Sequence, residues 1–303
     1  MALKVGMIGA GVVGTAVGVI LMAKGYEVTG AFDIEPESTD TWNRLTGTRV
    51  FTAPEELVRQ VDVVFITTND GAIAGVVDGL MDHEAVNPGQ IFIHMSGALT
   101  SDVMQAVREQ DAIALSLHPL QSFANVERAI ANLPGSIFSI EGDETGHEIA
   151  TQLVSALGGE YFFIAKEAKP IYHAGACVVS NYLVTLIDFG TRFLESTGMP
   201  PQTAQKALMP LIQGTINNIE RMGIPRALTG PIARGDLTTV VKHLSCLDNM
   251  APELTKLYSW LGYYTAEIAE RKGSINRDKM DDFKLLFAEW MNTTGLGQAQ
   301  RRV

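Results

Sequence analysis

Residues 4–25, KVGMIGAGVVGTAVGVILMAKG, limit the possible folds more than any other stretch. KVGMIGA is a continuous apolar run of strand length, and a helix pattern follows through VVGTAVGVILMAKG to Gly25. Gly9, Gly11 and Gly14 fall on the junction with the spacing GxGxxG. Residues 5–23 carry no charge, as a signal peptide or membrane span would, but five glycines interrupt them. A strand, a tight glycine turn and a helix account for those glycines, so neither membrane insertion nor secretion is expected.

The rest of the first half repeats the alternation. EVTGAFD, RVFT, VDVVFITT, QIFIHMS, AIALSLHP, GSIFSIEG and EYFFIA have strand character, with helix patterns between them, among them GAIAGVVDGLM, which Asp70 is placed to cap. Runs that are apolar throughout belong to a parallel sheet covered by helices on both faces. Beyond Lys166 the strand signals stop. EAKPIYHAGACVVSNYLVTLIDFGTRFLESTG forms one long helical pattern ending at Gly198, and further helical patterns follow before a tail, TTGLGQAQRRV, expected to fray. At 303 residues two domains are expected, since domains run to about 150 residues. The expected division is 1–166, a doubly wound α/β dinucleotide-binding domain, and 167–303, an all-α domain for substrate and dimerisation.

The glycine spacing carries a chemical meaning in this context. Gly9 permits the turn, Gly11 leaves room for a pyrophosphate against the backbone, and Gly14 lets strand and helix pack closely. With Ala10, Val12 and Val13 between them, they present the free N–H groups of the helix start to phosphate. Asp33 ends the second strand, where a carboxylate can hold the ribose hydroxyls, or can simply be a turn residue before Pro36. A carboxylate there would repel a 2′-phosphate, and Glu35 and Glu37 add negative charge with no arginine before Arg44. The expected cofactor is NAD or NADP, with NAD favoured.

Composition closes off other classes. A formal net charge of -11 without a basic stripe excludes a phosphate-tracking nucleic-acid binder. Cys177 and Cys246 lie in apolar, helix-like sequence with no CxxC spacing, which fits buried thiols in a reducing compartment and hence a cytoplasmic protein. The six histidines show no metal-ligand spacing, so no metal is expected.

Ligands of doubly wound sheets lie beyond the carboxyl ends of the strands. Those ends here carry Thr67-Thr68-Asn69-Asp70, His94-Met95-Ser96-Gly97 and His118-Pro119-Leu120-Gln121-Ser122. Thr67, Thr68 and Asn69 are candidates for cofactor contact, and Asp70 equally for cofactor contact or for helix capping, which is the alternative across the cluster. Ser96-Gly97 either turns the chain or brings main-chain N–H groups to a substrate carboxylate. His118, held extended by Pro119, is either a cleft residue or a satisfied structural group. On the long helix, Lys169, His173, Ser180 and Asn181 interrupt apolar sequence, and His173, Ser180 and Asn181 can share one side.

The order GMIGAGVVG, HMSGALTSDVM, SLHPLQSFA, YHAGACVVSNYL and LTGPIARGD resembles a bacterial Rossmann-like oxidoreductase family whose C-terminal helical domain long lacked an assigned function. More distantly it is similar to the 6-phosphogluconate dehydrogenase-like superfamily, which includes pyrroline-5-carboxylate reductase, ketopantoate reductase and 3-hydroxyacid dehydrogenases. The resemblance implies hydride transfer in a cleft between the domains and a homodimer formed through the helical domain. The hydroxyacid dehydrogenases carry a catalytic lysine followed one turn later by asparagine. Here Lys169 is followed by His173, and Asn181 lies two turns beyond it, so His173 is the better candidate acid and Lys169 the reserve. Arg234 either clamps a substrate carboxylate or phosphate or ties helices together through Asp236 or another carboxylate.

Together these features point to an NAD(P)-dependent oxidoreductase acting on a small carbonyl, imine or hydroxy acid, with ketopantoate reduction as one concrete option. His173 is the expected acid or base, Asn181 and Ser96 position substrate, and His118 lines the cleft wall. A dinucleotide-binding sensor or scaffold without turnover would keep the glycines and Asp33 without needing the polar strand ends. A helical dimerisation protein with an empty nucleotide fold would need neither.

Overall fold

The structure, a computed structural model, describes residues 3–250 and 252–292. The tail expected to fray lies outside them. The chain forms two compact units that divide after Tyr182. The first unit therefore continues past the expected boundary at Lys166 and takes in the helix that carries Lys169 and His173.

The first unit holds an eight-stranded sheet in the order β3-β2-β1-β4-β5-β6-β7-β8. Its strands are β1 (Lys4–Ile8), β2 (Glu27–Phe32), β3 (Arg49–Val50), β4 (Val63–Ile66), β5 (Ile91–His94), β6 (Ile113–Pro119), β7 (Ile137–Gly142) and β8 (Glu160–Phe163). The helices that accompany them are α1 (Val12–Ala23), α2 (Pro36–Thr46), α3 (Pro54–Val58), α4 (Ile73–Asp82), α5 (Gln105–Arg108), α6 (Val126–Asn132) and α7 (His147–Ala156). α8 (Lys169–Val179) completes the unit. The first six strands follow the order of doubly wound dinucleotide-binding sheets, which reverses between β1 and β4.

The central apolar strands β4 and β5 are buried on both faces, as their composition requires, whereas the edge strand β8 is exposed throughout. Val63 and Phe65 join a core with Val17 and Leu21 of α1 and Leu153 of α7. Their neighbours Val64 and Ile66 join a second core with Leu57 of α3, Val77 of α4 and Val107 of α5. Successive side chains on a strand point to opposite faces, so a strand covered on both sides has no polar alternation.

The sheet is not parallel throughout. β7 runs antiparallel to β6, with His118 opposite Ser139 and Pro119 opposite Phe138. β8 resumes parallel pairing with β7.

The second unit is helical: α9 (Asn181–Glu195), which begins just before the division, α10 (Pro201–Met222), α11 (Leu237–Met250), α12 (Pro252–Arg271) and α13 (Arg277–Asn292). Its core gathers Val240 and Leu244 of α11, Ala266 of α12, and Phe283 and Phe287 of α13. The long helix expected over 167–198 is in fact two, α8 and α9, with Ser180 between them at φ -110° and ψ -73°. Residues 166–195 include the one stretch among the described residues whose length and composition would suit a membrane span, and this break interrupts it. The thiols also differ from expectation: Cys177 is half-buried and Cys246 exposed.

Candidate functional site

The glycine loop joins β1 to α1 at the point where the strand order reverses. Gly9 has φ +100°, and a Cβ on it would stand 2.7 Å from the Thr67 carbonyl carbon and 2.8 Å from the Thr68 nitrogen. A Cβ on Gly14 would run into the Gly9 carbonyl oxygen and the Thr67 hydroxyl. Around Gly11 the space is open, since a Cβ there would meet nothing within 4 Å. Gly11 caps α1 with no side-chain bond, and the first turn of α1 contains no acidic residue. The N–H groups of Val12, Val13 and Gly14 thus face a gap with no competing anion, which is the cradle a pyrophosphate needs.

Two side chains hold that loop in shape. Thr67 Oγ1 donates to the Gly9 carbonyl at 2.6 Å, which pins the end of β4 to the end of β1. Asp33 Oδ2 accepts the Ala10 N–H at 2.6 Å and Oδ1 accepts the Glu35 N–H at 2.9 Å. Each carboxylate oxygen can accept a second hydrogen bond, so Asp33 still has capacity for ribose hydroxyls. Thr68 is half-buried, donating to the Asn69 carbonyl at 3.3 Å, and Asn69 is exposed at the same strand end.

The second cluster lies at the ends of β5 and β6. Asp70 does not cap the helix after β4; no side-chain cap bond is made there, and Asp70 Oδ2 instead accepts the Ser96 hydroxyl at 2.7 Å. Ser96 Oγ also accepts the N–H groups of Ala98 at 3.2 Å and Leu99 at 3.1 Å. That hydroxyl is fully committed to building the turn, which argues against a free substrate-positioning hydroxyl at Ser96. Behind it, His94 Nδ1 accepts the Ser96 N–H at 3.2 Å. Burial first, and then the Lys169 charge, lower the His94 pKa to about 4, so the ring is neutral with its hydrogen on Nε2.

Gly97 is where the pieces meet. A Cβ on it would lie 2.6 Å from His173 Cδ2 and 2.7 Å from His118 Nε2. The missing side chain lets both imidazoles close on the backbone, with ring centroids 6.1 Å apart. His118 Nδ1 is bonded to the Tyr172 hydroxyl at 2.8 Å. Burial, then the charges of Lys169 and His173, lower the His118 pKa to about 4, and burial raises that of Tyr172. His173 Nδ1 faces the Cys177 thiol at 3.8 Å, one helical turn on.

Lys169 is wholly buried at the start of α8. Its Nζ donates to the Ser96 carbonyl at 3.2 Å and to the Ser116 hydroxyl. Burial lowers its pKa to about 8, so at neutral pH it remains mostly an ammonium with two neutral partners. The bond to Ser96 fixes the α8 start against the β5 turn, which in turn sets where His173 meets Gly97.

Ser96, His118, Lys169 and His173 are thus brought together as the sequence suggests. Asn181 is not: it begins α9, exposed, with no hydrogen bond to the cluster among the described residues. Arg234 is exposed, and Asp236 caps α11 by accepting Thr239 N at 3.0 Å and its hydroxyl at 2.6 Å rather than pairing with Arg234. Tyr172, Ser116 and Ser139 escape a reading of the sequence. The signal for the two serines is a hydroxyl inside an otherwise buried apolar strand. Within the helical unit a cavity of about 510 Å³ is lined by Phe193, Leu247, Met250, His243 and Tyr258.

Residues 1–119 match the model of the Rossmann-like domain. Residues 136–265 match a domain of unknown function, DUF2520, which bears out the resemblance read from the sequence and begins at β7. No curated protein matches the chain by sequence. Among solved structures, the chain is similar to protein TM1727 from Thermotoga maritima: 25% identity, 88% of this chain and 99% of that one covered, TM-score 0.68. BF3122 from Bacteroides fragilis, named as a candidate NADP oxidoreductase, is 20% identical over 89% of this chain and 98% of its own, with a TM-score of 0.69. An imine reductase from Pseudomonas sp. is 16% identical over 91% of this chain and 100% of its own, with a TM-score of 0.59.

Proposed function

We propose that the chain, a Rossmann-like domain followed by a DUF2520 domain, is an NAD(P)-dependent oxidoreductase that transfers hydride between nicotinamide and a small carbonyl, imine or hydroxy acid. The observation that carries this reading is the convergence of His118 and His173 on Gly97, with Tyr172 bonded to His118, at the same sheet edge as the glycine loop. A sensor without turnover needs the loop alone. The name of the Bacteroides protein supports the same class.

Gly9, Gly11, Gly14 and the N–H groups of Val12 and Val13 would hold the pyrophosphate, and Asp33 the ribose. Asp33, with Glu35 and Glu37 just after it, favours NAD over NADP, because a 2′-phosphate would meet carboxylate. The nicotinamide, when bound, supplies the hydride. The two imidazoles hold the proton for the reacting oxygen or nitrogen, Lys169 fixes their supporting turn, and the Ser96–Asp70 bond keeps that turn closed.

The test is turnover, followed at the reduced-nicotinamide absorbance with a panel of oxoacids, imines and hydroxy acids. Replacing His118 or His173 by alanine is expected to lower it by about 10²-fold while leaving dinucleotide affinity nearly unchanged. Full turnover in both variants would reject the site.

We further propose a cytoplasmic homodimer formed through the helical unit. α10 supports this: of its 22 residues only Ala204 is buried, and Leu211 is 68% exposed. A stripe of that kind is expected to be covered by a partner. Light scattering should give twice the mass of one chain, 32.8 kDa; a monomer mass at micromolar protein would refute it.

A further inference from the structure

Ser139 lies directly opposite His118 in the β6–β7 register and is wholly buried. Its hydroxyl has no partner that meets full hydrogen-bond geometry, and the polar group it acts on is the Tyr172 phenol. Tyr172 in turn bonds His118 Nδ1 at 2.8 Å. These three groups form a chain that can run in two directions. If Nδ1–H donates to Tyr172 and Tyr172 to Ser139, the buried serine hydrogen is left without an acceptor. If Ser139 donates to the phenol oxygen and the phenol to Nδ1, the hydrogens of the wholly buried serine and of the phenol are both used, and the one left over sits on Nε2 of the half-buried His118 ring. Buried polar groups are satisfied wherever the network allows it, so the second direction holds. It leaves the hydrogen of the neutral imidazole on Nε2, the atom that lies against Gly97.

We propose that Ser139 and Tyr172 lock His118 as the Nε2–H tautomer, and that this N–H is the proton donor of the reaction and selects a carbonyl substrate over an iminium. The inference rests on the reading of the chain as a nicotinamide-dependent reductase. A carbonyl oxygen offers lone pairs to Nε2–H. A protonated iminium offers an N–H to an N–H, and brings a positive charge toward the ammonium of Lys169, whose own partners are the neutral Ser96 carbonyl and Ser116 hydroxyl. The nearby carboxylates are already engaged, Asp70 by the Ser96 hydroxyl and Glu141 by the Ser101 N–H and hydroxyl. In the reduction the carbonyl carbon accepts the hydride and its π pair moves onto oxygen. The oxygen takes the Nε2 proton, Nδ1 takes the phenol proton, and water reprotonates the Tyr172 phenolate, which Ser139 stabilises in the interval. His118 is the catalytic residue in this scheme, and Tyr172 and Ser139 position its hydrogen.

The first readout needs no cofactor. Two-bond ¹⁵N–¹H NMR of the uniformly labelled apo protein, with the His118 signals assigned by their loss in His118→Gln, is expected to show Nε2 protonated and Nδ1 bare at neutral pH. Tyr172→Phe is expected to convert this to a mixture of tautomers. Nδ1–H in the wild type, or a pattern unmoved by Tyr172→Phe, overturns the proposal. The second readout is turnover with NADH and NADPH on a panel of 2-oxoacids and aldehydes against a panel of cyclic imines. Carbonyl reduction should dominate and fall by about tenfold or more in Tyr172→Phe. Dinucleotide binding with reduction of imines only, or of nothing, overturns the carbonyl assignment and leaves the dinucleotide site standing; no dinucleotide binding removes the reductase reading itself.

Discussion

Gly14→Ala is expected to lower the affinity for NADH and NADPH by about 100-fold or more, because the pyrophosphate cradle depends on backbone geometry that a Cβ cannot share. The added methyl would run into the Gly9 carbonyl oxygen and the Thr67 hydroxyl. Neither can step aside cheaply. The Gly9 carbonyl belongs to a residue at φ +100° that is itself wedged against the Thr67–Thr68 backbone, and the Thr67 hydroxyl is the group that holds that carbonyl. The loop must therefore open, which displaces the N–H groups of Val12 and Val13. The stability cost of such overpacking is about 1–3 kcal/mol, small enough for the variant to fold. Fluorescence titration checks the affinity and a thermal melt checks the fold. Wild-type affinity in Gly14→Ala would mean that the loop does not hold the dinucleotide.

The second large effect is expected at Gly97. Gly97→Ala should reduce turnover by about 10²-fold or more, since misplacement of catalytic groups by about 1 Å has costs of that order. The new methyl would stand 2.6 Å from His173 Cδ2 and 2.7 Å from His118 Nε2, well inside contact distance, so both rings must swing away. His118 cannot move without straining its 2.8 Å bond to Tyr172. Dinucleotide affinity should be nearly unchanged, because no loop contact involves Gly97. The discriminating measurement is kcat beside the dinucleotide Kd: loss of both would make Gly97 a general structural residue, and loss of neither would separate the histidines from the chemistry.

Much of the architecture is legible in the residues themselves. The central strands follow from apolar runs that a two-faced sheet demands, and the glycine loop from a spacing with a direct physical purpose. The polar strand ends also stand out, because Ser96 and His118 interrupt sequence that burial would otherwise keep apolar. What is not legible depends on long-range geometry. Ser139 and His118 are brought opposite each other by an antiparallel pair that apolar runs do not distinguish from a parallel one. Tyr172 has the spacing of a core aromatic, and only the fold brings its hydroxyl to His118. Asp70 looks like a cap by position, but the Ser96 hydroxyl claims its carboxylate. Periodicity runs straight through Ser180, where the chain breaks its helix and leaves Asn181 outside the cluster.

The central claim is that the chain binds a nicotinamide dinucleotide at the Gly9–Gly14 loop, and titration of the purified protein with NADH and with NADPH, followed by their fluorescence, tests it most directly. Saturable binding of at least one is predicted, with NADH the tighter because of the Asp33 carboxylate. Binding of neither would contradict the account.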